Sequence, residues 1–139
     1  MNRSTALANL MRGVGEDVRD YQMLRTLLQQ QFDAALAHQA VRLSELAERI
    51  TEMTGVMEQR RLQRVDLVNA LSGKGGSVTT AFALLPGTPR DALQAGWNAL
   101  EALVRECKEL NERNCRLMMD QYSIMQRVLH GEEETYVPA

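Results

Sequence analysis

The fold is decided by residues 91–129, DALQAGWNALEALVRECKELNERNCRLMMDQYSIMQRVL. Apolar residues recur here at helical spacing, and one continuous helix over this stretch is about 57 Å long. The apolar residues form two adjoining stripes, so two partners could pack against this helix at once. The first stripe contains Leu103, Cys107, Leu110, Leu117, Ile124 and Val128, and the second contains Trp97, Leu100, Val104, Met118, Met125 and Leu129.

Three amide side chains, Asn111, Asn114 and Gln121, lie within these stripes. They occupy heptad positions where burial alone favours Leu or Ile. A misaligned neighbour would leave a buried amide unpaired at a cost of about 1 to 3 kcal/mol, so such amides set the register of a specific partner. The sequence leaves two possible partners for these amides, namely a helix from another protein and an internal layer of a three-helix bundle.

Two further long helices are predicted before this stretch, helix one at about 3–37 and helix two at about 40–71. Their apolar residues recur at steps of three, four and seven. The phase is interrupted between them without Gly or Pro, and a reversal into an antiparallel hairpin is the economical explanation. Gly13 and Gly15 each cost about 1 kcal/mol inside a helix, so we expect a boundary just after them.

The segment 72–90 joins helix two to helix three. Residues 72–77 (SGKGGS) and 86–89 (PGTP) have the composition of flexible breaks, and the apolar residues between them predict a short helical segment. Helix three should then run from about 91 to 130, where a glycine follows and stops it. The tail 131–139 has no periodicity, and we expect it to be mobile.

The composition agrees with a helical fold. Apolar residues make up 45% of the 139 residues and aromatic residues only 4%, which favours helices packed on aliphatic seams over sandwiches and barrels. The sequence therefore predicts one all-α domain, residues 1–139. In it, three long helices form an antiparallel bundle or coiled coil, with a flexible glycine-rich linker before the last helix.

The charge balance excludes several classes of partner. A net charge of −2 provides no bulk field that attracts nucleic acid or an anionic membrane. No window reaches the roughly 18 apolar residues that a membrane span requires, and residues 1–10 do not resemble a signal peptide. We expect a cytoplasmic protein that neither binds nucleic acid nor inserts into a membrane.

The residues that usually carry chemistry form no site that the spacing supports. Cys107 and Cys115 would be about 12 Å apart on one helix, too far for a disulfide, and are interpreted as small buried hydrophobes. His38 and His130 fall at predicted helix ends without a carboxylate, nucleophile or metal-ligand spacing beside them. We therefore predict no enzyme, no metal and no cofactor.

Two other motifs have simpler explanations than ligand binding. The sequence Gly73-Lys74-Gly75-Gly76 lacks the following Ser or Thr and the earlier Gly of a phosphate-binding loop, so it is interpreted as a linker. The basic cluster on helix two is flanked by acidic residues and has no interleaved aromatic residues, which favours a solvated or ion-paired face. That cluster contains Arg60, Arg61 and Arg64.

Methionine is frequent on or beside the apolar stripes. Its flexible side chain suits a surface that accepts another helix in more than one packing, although it also fills gaps in an ordinary core. The hairpin of helices one and two can cover one stripe of helix three, which leaves the other for a client. The methionines concerned are Met11, Met23, Met53, Met57, Met118, Met119 and Met125.

The residues 110–118, LNERNCRLM, preceded by Trp97 and followed by Gln121, resemble the Leu-Asn-x-x-Asn-Gly-x-Leu-Leu signature of the FlgN-type flagellar export chaperones. The tail 134–137, ETYV, looks like that family's Thr-x-Tyr-Gly ending. The order of helices is also similar. Cys115 and the last residue of ETYV both stand where the family usually has Gly.

This resemblance implies a cytosolic chaperone of the flagellar type III secretion system. Its clients would be hook-associated junction proteins of the FlgK and FlgL type, which it would hold for the flagellar export apparatus. The family likeness implies that Tyr136 docks on the export gate. Together with the stripes, it predicts a client-binding surface formed by Leu110, Asn111, Asn114, Leu117, Met118, Gln121 and Met125.

The alternative is a structural coiled-coil or bundle protein that self-associates through the same helix without a secreted client. A homodimer of the empty chaperone is compatible with the first hypothesis as well, because the same apolar stripe would be free in the absence of a client.

Overall fold

The computed structural model describes residues 2–73, 75–85 and 87–136, and these residues form helices with no β-strand among them. This confirms the all-α prediction with three long helices. The order of elements is α1 (Arg3–Leu36), α2 (Ala40–Ser72), the short α3 (Val78–Phe82) and α4 (Gly87–Tyr136).

The turn between α1 and α2 depends on a residue with left-handed backbone geometry. His38 has φ +54°, which few residues other than Gly adopt. The backbone N–H of Gln39 then donates to Ala34 O over 3.0 Å and closes the end of α1. The chain can therefore reverse without Gly or Pro, and α2 returns antiparallel to α1.

Helix α1 has no boundary near Gly13 and Gly15, so that prediction was wrong. The helix is continuous from Arg3, where the side chain of Asn2 caps it by accepting from Thr5 N over 2.8 Å. The Gly13 Cα faces the side chain of Arg60 on α2. Packing along the whole hairpin outweighs the local cost of about 1 kcal/mol for each glycine.

Helix α4 is longer at both ends than the predicted range of 91–130. It begins at Gly87 and continues through Gly131, where a stop was predicted, to Tyr136. The Thr135 hydroxyl donates to Gly131 O over 3.0 Å within this last part. Residues 131–136 of the tail are therefore helical, and residues 137–139 lie outside the described part of the chain.

Helix α1 lies at the centre of the fold, between α2 and α4. Helices α2 and α4 both pack along α1, but no Cα of α2 approaches a Cα of α4 within 8 Å in the described ranges. Three core clusters follow α1 from its start to its end. The first contains Leu10, Val14, Val68, Ala81, Phe82, Leu93 and Leu100, the second contains Leu24, Leu28, Met57 and Cys107, and the third contains Leu27, Ala34 and Leu46.

Helix α3 closes the end of the bundle where α1 begins. Ser77 caps it by accepting from Thr80 N over 3.1 Å, and Phe82 is 1% exposed. The Phe82 ring meets Trp97 of α4 edge to face with 6.3 Å between centroids. This confirms the short helical segment predicted between the two breaks and shows that it covers the core.

The basic cluster of α2 is ion-paired, as predicted: Arg61 pairs with Glu58 on the same helix, whereas the partners of Arg60 and Arg64 lie on α1. Asp17 is 1% exposed, and Arg60 and Arg64 each donate to one of its carboxylate oxygens. Arg60 also reaches Asp20 at 2.8 Å. The Arg64 guanidinium lies 5.5 Å from the ring centroid of Trp97, so this residue touches all three long helices.

Replacing Asp17 by Asn should lower the free energy of unfolding by about 3 kcal/mol, because Arg64 loses its carboxylate partner and Arg60 keeps only the more exposed Asp20 and Glu16. Urea unfolding followed by circular dichroism measures this. The matched control is Glu58→Gln, which breaks the solvent-exposed ion pair with Arg61 and should leave the midpoint unchanged. Equal losses in the two variants would contradict a structural role for the buried network.

Candidate functional site

Three side chains of α4, spaced seven residues apart, donate hydrogen bonds to backbone carbonyls of α1. Each bond joins positions 86 residues apart, so α1 and α4 run parallel in one constant register. Seven-residue spacing on both helices is the repeat of a coiled-coil seam. The bonds run from Cys107 Sγ to Tyr21 O (3.5 Å), from Asn114 Nδ2 to Leu28 O (2.7 Å) and from Gln121 Nε2 to Ala35 O (2.9 Å).

Asn114 belongs to the interior of this seam. Its side chain is 0% exposed, and besides the bond to Leu28 it donates to Gln31 Oε1 over 2.9 Å. Its own oxygen accepts from Arg113, whose guanidinium lies 3.7 Å from the centroid of the Phe32 ring. Of the two partners left open by the sequence, Asn114 therefore has the internal one, and a client cannot reach it while α1 and α4 stay packed.

Cys107 acts as a hydrogen-bond donor within the same seam. Burial raises the pKa of its thiol to about 11, with a smaller contribution from the charge of Glu106. The thiol therefore keeps its proton at neutral pH and can donate to the carbonyl of Tyr21. The interpretation as a small buried hydrophobe fits Cys107 but was wrong for Cys115, which is exposed.

The other predicted site residues are distributed between core and surface. Asn111 is exposed, whereas Leu110 is half-buried against the second core cluster. Leu117 and Met118 are half-buried, and Met125 is 59% exposed. Tyr136 is the last described helical residue, and its side chain lies outside what the structure describes.

Beyond the seam, every residue of α4 from Tyr122 to Thr135 is exposed. Gln121 meets Ala35, and α1 ends one residue later at Leu36. The segment from Tyr122 to Tyr136, here called the α4 extension, therefore projects about 22 Å past the turn between α1 and α2. Five large apolar side chains on it are each more than half exposed, namely Tyr122, Ile124, Met125, Val128 and Leu129.

Both apolar stripes are thus covered in their N-terminal part and exposed in their C-terminal part. The prediction was instead that one whole stripe would be covered and the other exposed. In the N-terminal half, both stripes contribute buried residues such as Leu100 and Leu103. In the C-terminal half, both stripes are bare, from Ile124 onwards. The reason is that α4 has 50 residues and α1 only 34, so α1 cannot cover all of α4 in a parallel register.

The family profile described as FlgN protein matches residues 1–131. The chain belongs to the FlgN family. No significant match was found among curated proteins or among solved structures.

Membership in the FlgN family, which is a chaperone family, gives the chain the general role of a flagellar export chaperone. It also implies flagellar proteins as partners. None of the helices in the described ranges is long and apolar enough to cross a membrane.

Replacing Asn114 by Ala should lower the free energy of unfolding by about 2 kcal/mol, because the change removes a buried amide with two donor bonds and leaves a gap between α1 and α4. Chemical denaturation is the measurement. Asn111→Ala is the matched control, since it removes the same side chain three residues away at an exposed position and should change the free energy by less than about 0.5 kcal/mol. A loss of the same size in both variants would contradict the assignment of Asn114 to the seam.

Proposed function

We propose that this FlgN-family chain is a cytoplasmic export chaperone that binds the terminal amphipathic helix of hook-associated junction proteins of the FlgK and FlgL type. It would deliver them to the flagellar type III export apparatus. The observation that carries the proposal is the exposed apolar face of the α4 extension. A face of this length rarely stays bare in a protein that has no partner.

The client surface that we propose is centred on the α4 extension. Met125 lies on it, and Leu117 and Met118 form its border with the bundle, where they are half-buried. Asn111 can contribute a polar contact from its exposed position. The amides of Asn114 and Gln121 would act indirectly, because they hold α4 in the register that leaves the extension free.

The proposed mechanism is packing of an amphipathic client helix along the exposed apolar face of the α4 extension. A client segment that is disordered alone would fold against the extension and bury its apolar face at positions i, i+3, i+4 and i+7. The entropy lost on ordering this segment limits the net affinity, so the complex stays releasable for export. Methionine and leucine side chains tolerate clients of somewhat different shape, which suits a chaperone with more than one client.

Introducing charge on the apolar face tests this surface. The double substitution Met125→Asp with Leu129→Asp should weaken binding of a hook-associated protein by at least about 30-fold, because the carboxylates would be buried without partners. Isothermal titration calorimetry measures the affinity, and circular dichroism should be unchanged because both side chains are exposed.

The matched control is Ser123→Asp with His130→Asp, which adds the same charge at two exposed positions on the opposite side of the extension and should retain binding. Full binding by the apolar-face variant would contradict the surface. Light scattering separates the alternative hypothesis, since a tight dimer unaffected by any client favours a self-associating structural protein. A single chain that forms a one-to-one complex favours the chaperone.

We also propose that Tyr136 docks the chaperone on the export gate, as the family resemblance implies. Tyr136→Ala should then reduce secretion of the hook-associated proteins without weakening their binding in the cytoplasm. Secretion is measured by immunoblotting of culture supernatants, with Tyr136→Phe as the conservative comparison. The docking role is wrong if the alanine variant secretes its clients at the wild-type level.

A further inference from the structure

The apolar face of the α4 extension continues the face by which α4 packs on α1. The seam residues Asn114 and Gln121 point at α1, and the next heptad step along the same side is Val128. Because α1 stops at Leu36, a helix that covers the extension lies end to end with α1. The position of the occupant is therefore set by the seam, and its near end abuts the turn between α1 and α2.

The charges on this face are confined to its far end. By helical periodicity, Glu132 lies in the middle of the apolar face and Glu133 at its edge. Both are exposed, and among the described residues neither forms an ion pair. His130 and Glu134, in contrast, pair with each other at 3.1 Å on the other side of the helix. The face thus ends in two unpaired carboxylates about 15 Å from its start at Tyr122.

A second copy of the chain fits this face poorly. Only the extension is free of α1, so two copies can pair only along their extensions. They would run antiparallel, with the centre of the pairing between Val128 and Leu129. That pairing places Glu132 against Met125 of the other copy, and it does so twice. Burying a carboxylate against apolar side chains without a cation is unfavourable. The occupant is accordingly a helix from a different protein.

We propose that the occupant is an amphipathic helix of three to four turns that carries Lys or Arg at the end remote from α1, next to Glu132 and Glu133. This inference rests on the proposed function and adds the charge pattern and the placement of the client segment. The basic side chains pair with the two carboxylates, while the rest of the helix presents apolar residues to Met125 and its neighbours. The charge pattern fixes which end of the client lies near the bundle.

Fluorescence anisotropy with synthetic peptides tests the charge pattern on the full chain. The probes are amphipathic peptides of about 14 residues, or four helical turns, with leucine at heptad positions, which carry two Lys or two Glu at one end and are otherwise identical. The Lys peptide should bind about fivefold more tightly. Glu132→Lys with Glu133→Lys should reverse this preference, whereas Glu109→Lys with Glu112→Lys, which alters the net charge equally on the exposed side of α4, should leave it unchanged.

The exposed thiol of Cys115 allows the placement to be measured. A fluorophore on Cys115 would lie about 10 Å along α4 from the near end of the extension and about 30 Å from its far end. A quencher on the neutral end of the Lys peptide should therefore quench strongly, and one on the basic end weakly. Cys107 will not compete for the label because it is buried.

The inference is overturned if the peptides show no charge preference, if the lysine variant keeps the wild-type preference, or if the basic end quenches more strongly. A chain that forms a dimer through the extension and excludes both peptides would also overturn it. These results differ from a failure of the proposed function. If the proposed function is wrong, the hook-associated protein itself does not bind. If only this inference is wrong, the protein binds but the charge of its helix end has no effect.

Discussion

The parallel packing of α1 on α4 is the constraint on which the rest of the structure depends. Three donors spaced by seven residues hold the two helices in a single register, so the end of α1 determines where α4 becomes exposed. A shift of α4 by one helical turn would move that point by about 5 Å and would separate the buried amide of Asn114 from its carbonyl. Polar groups in an apolar seam reduce the number of alternative alignments, and here they set the length of the accessible surface.

The two long neighbours of α1 are held in different ways. Helix α2 is fixed by a buried carboxylate, Asp17, between two arginines, and helix α4 is fixed by side-chain donors to the backbone. Arg64 connects the two systems because it binds Asp17 and stacks near Trp97. The core nearest the turn contains residues of α1 and α2 only, and α4 packs beside it on α1 through Asn114 and Gln121 until α1 ends.

This architecture agrees with the function of the FlgN family. The matched residues 1–131 include the bundle and most of the exposed part of α4. Under the proposed function, the bundle at one end supplies a stable fold and the exposed amphipathic helix at the other supplies the surface that binds and releases the client. The exposed apolar residues cost the bundle little stability, because none of them is needed for its core.

The sequence by itself determined the helical class, the three long helices, the short capped segment after the glycine-rich break and the family. These features follow from the periodicity of apolar residues and from motifs formed by residues that are close together in the sequence. The predicted breaks at Gly13, Gly15 and Gly131 were wrong because packing and helix continuity outweigh a local cost of about 1 kcal/mol.

Only the tertiary structure decided which residues of α4 are exposed and which partner Asn114 has. Both depend on the register between segments 86 residues apart and on the unequal lengths of α1 and α4. The same holds for Asp17, whose arginine partners lie on another helix more than 40 residues away. A pattern within one helix shows that a face of the helix is apolar. Which helix covers that face, and where the covering helix ends, depends on the packing of the whole chain.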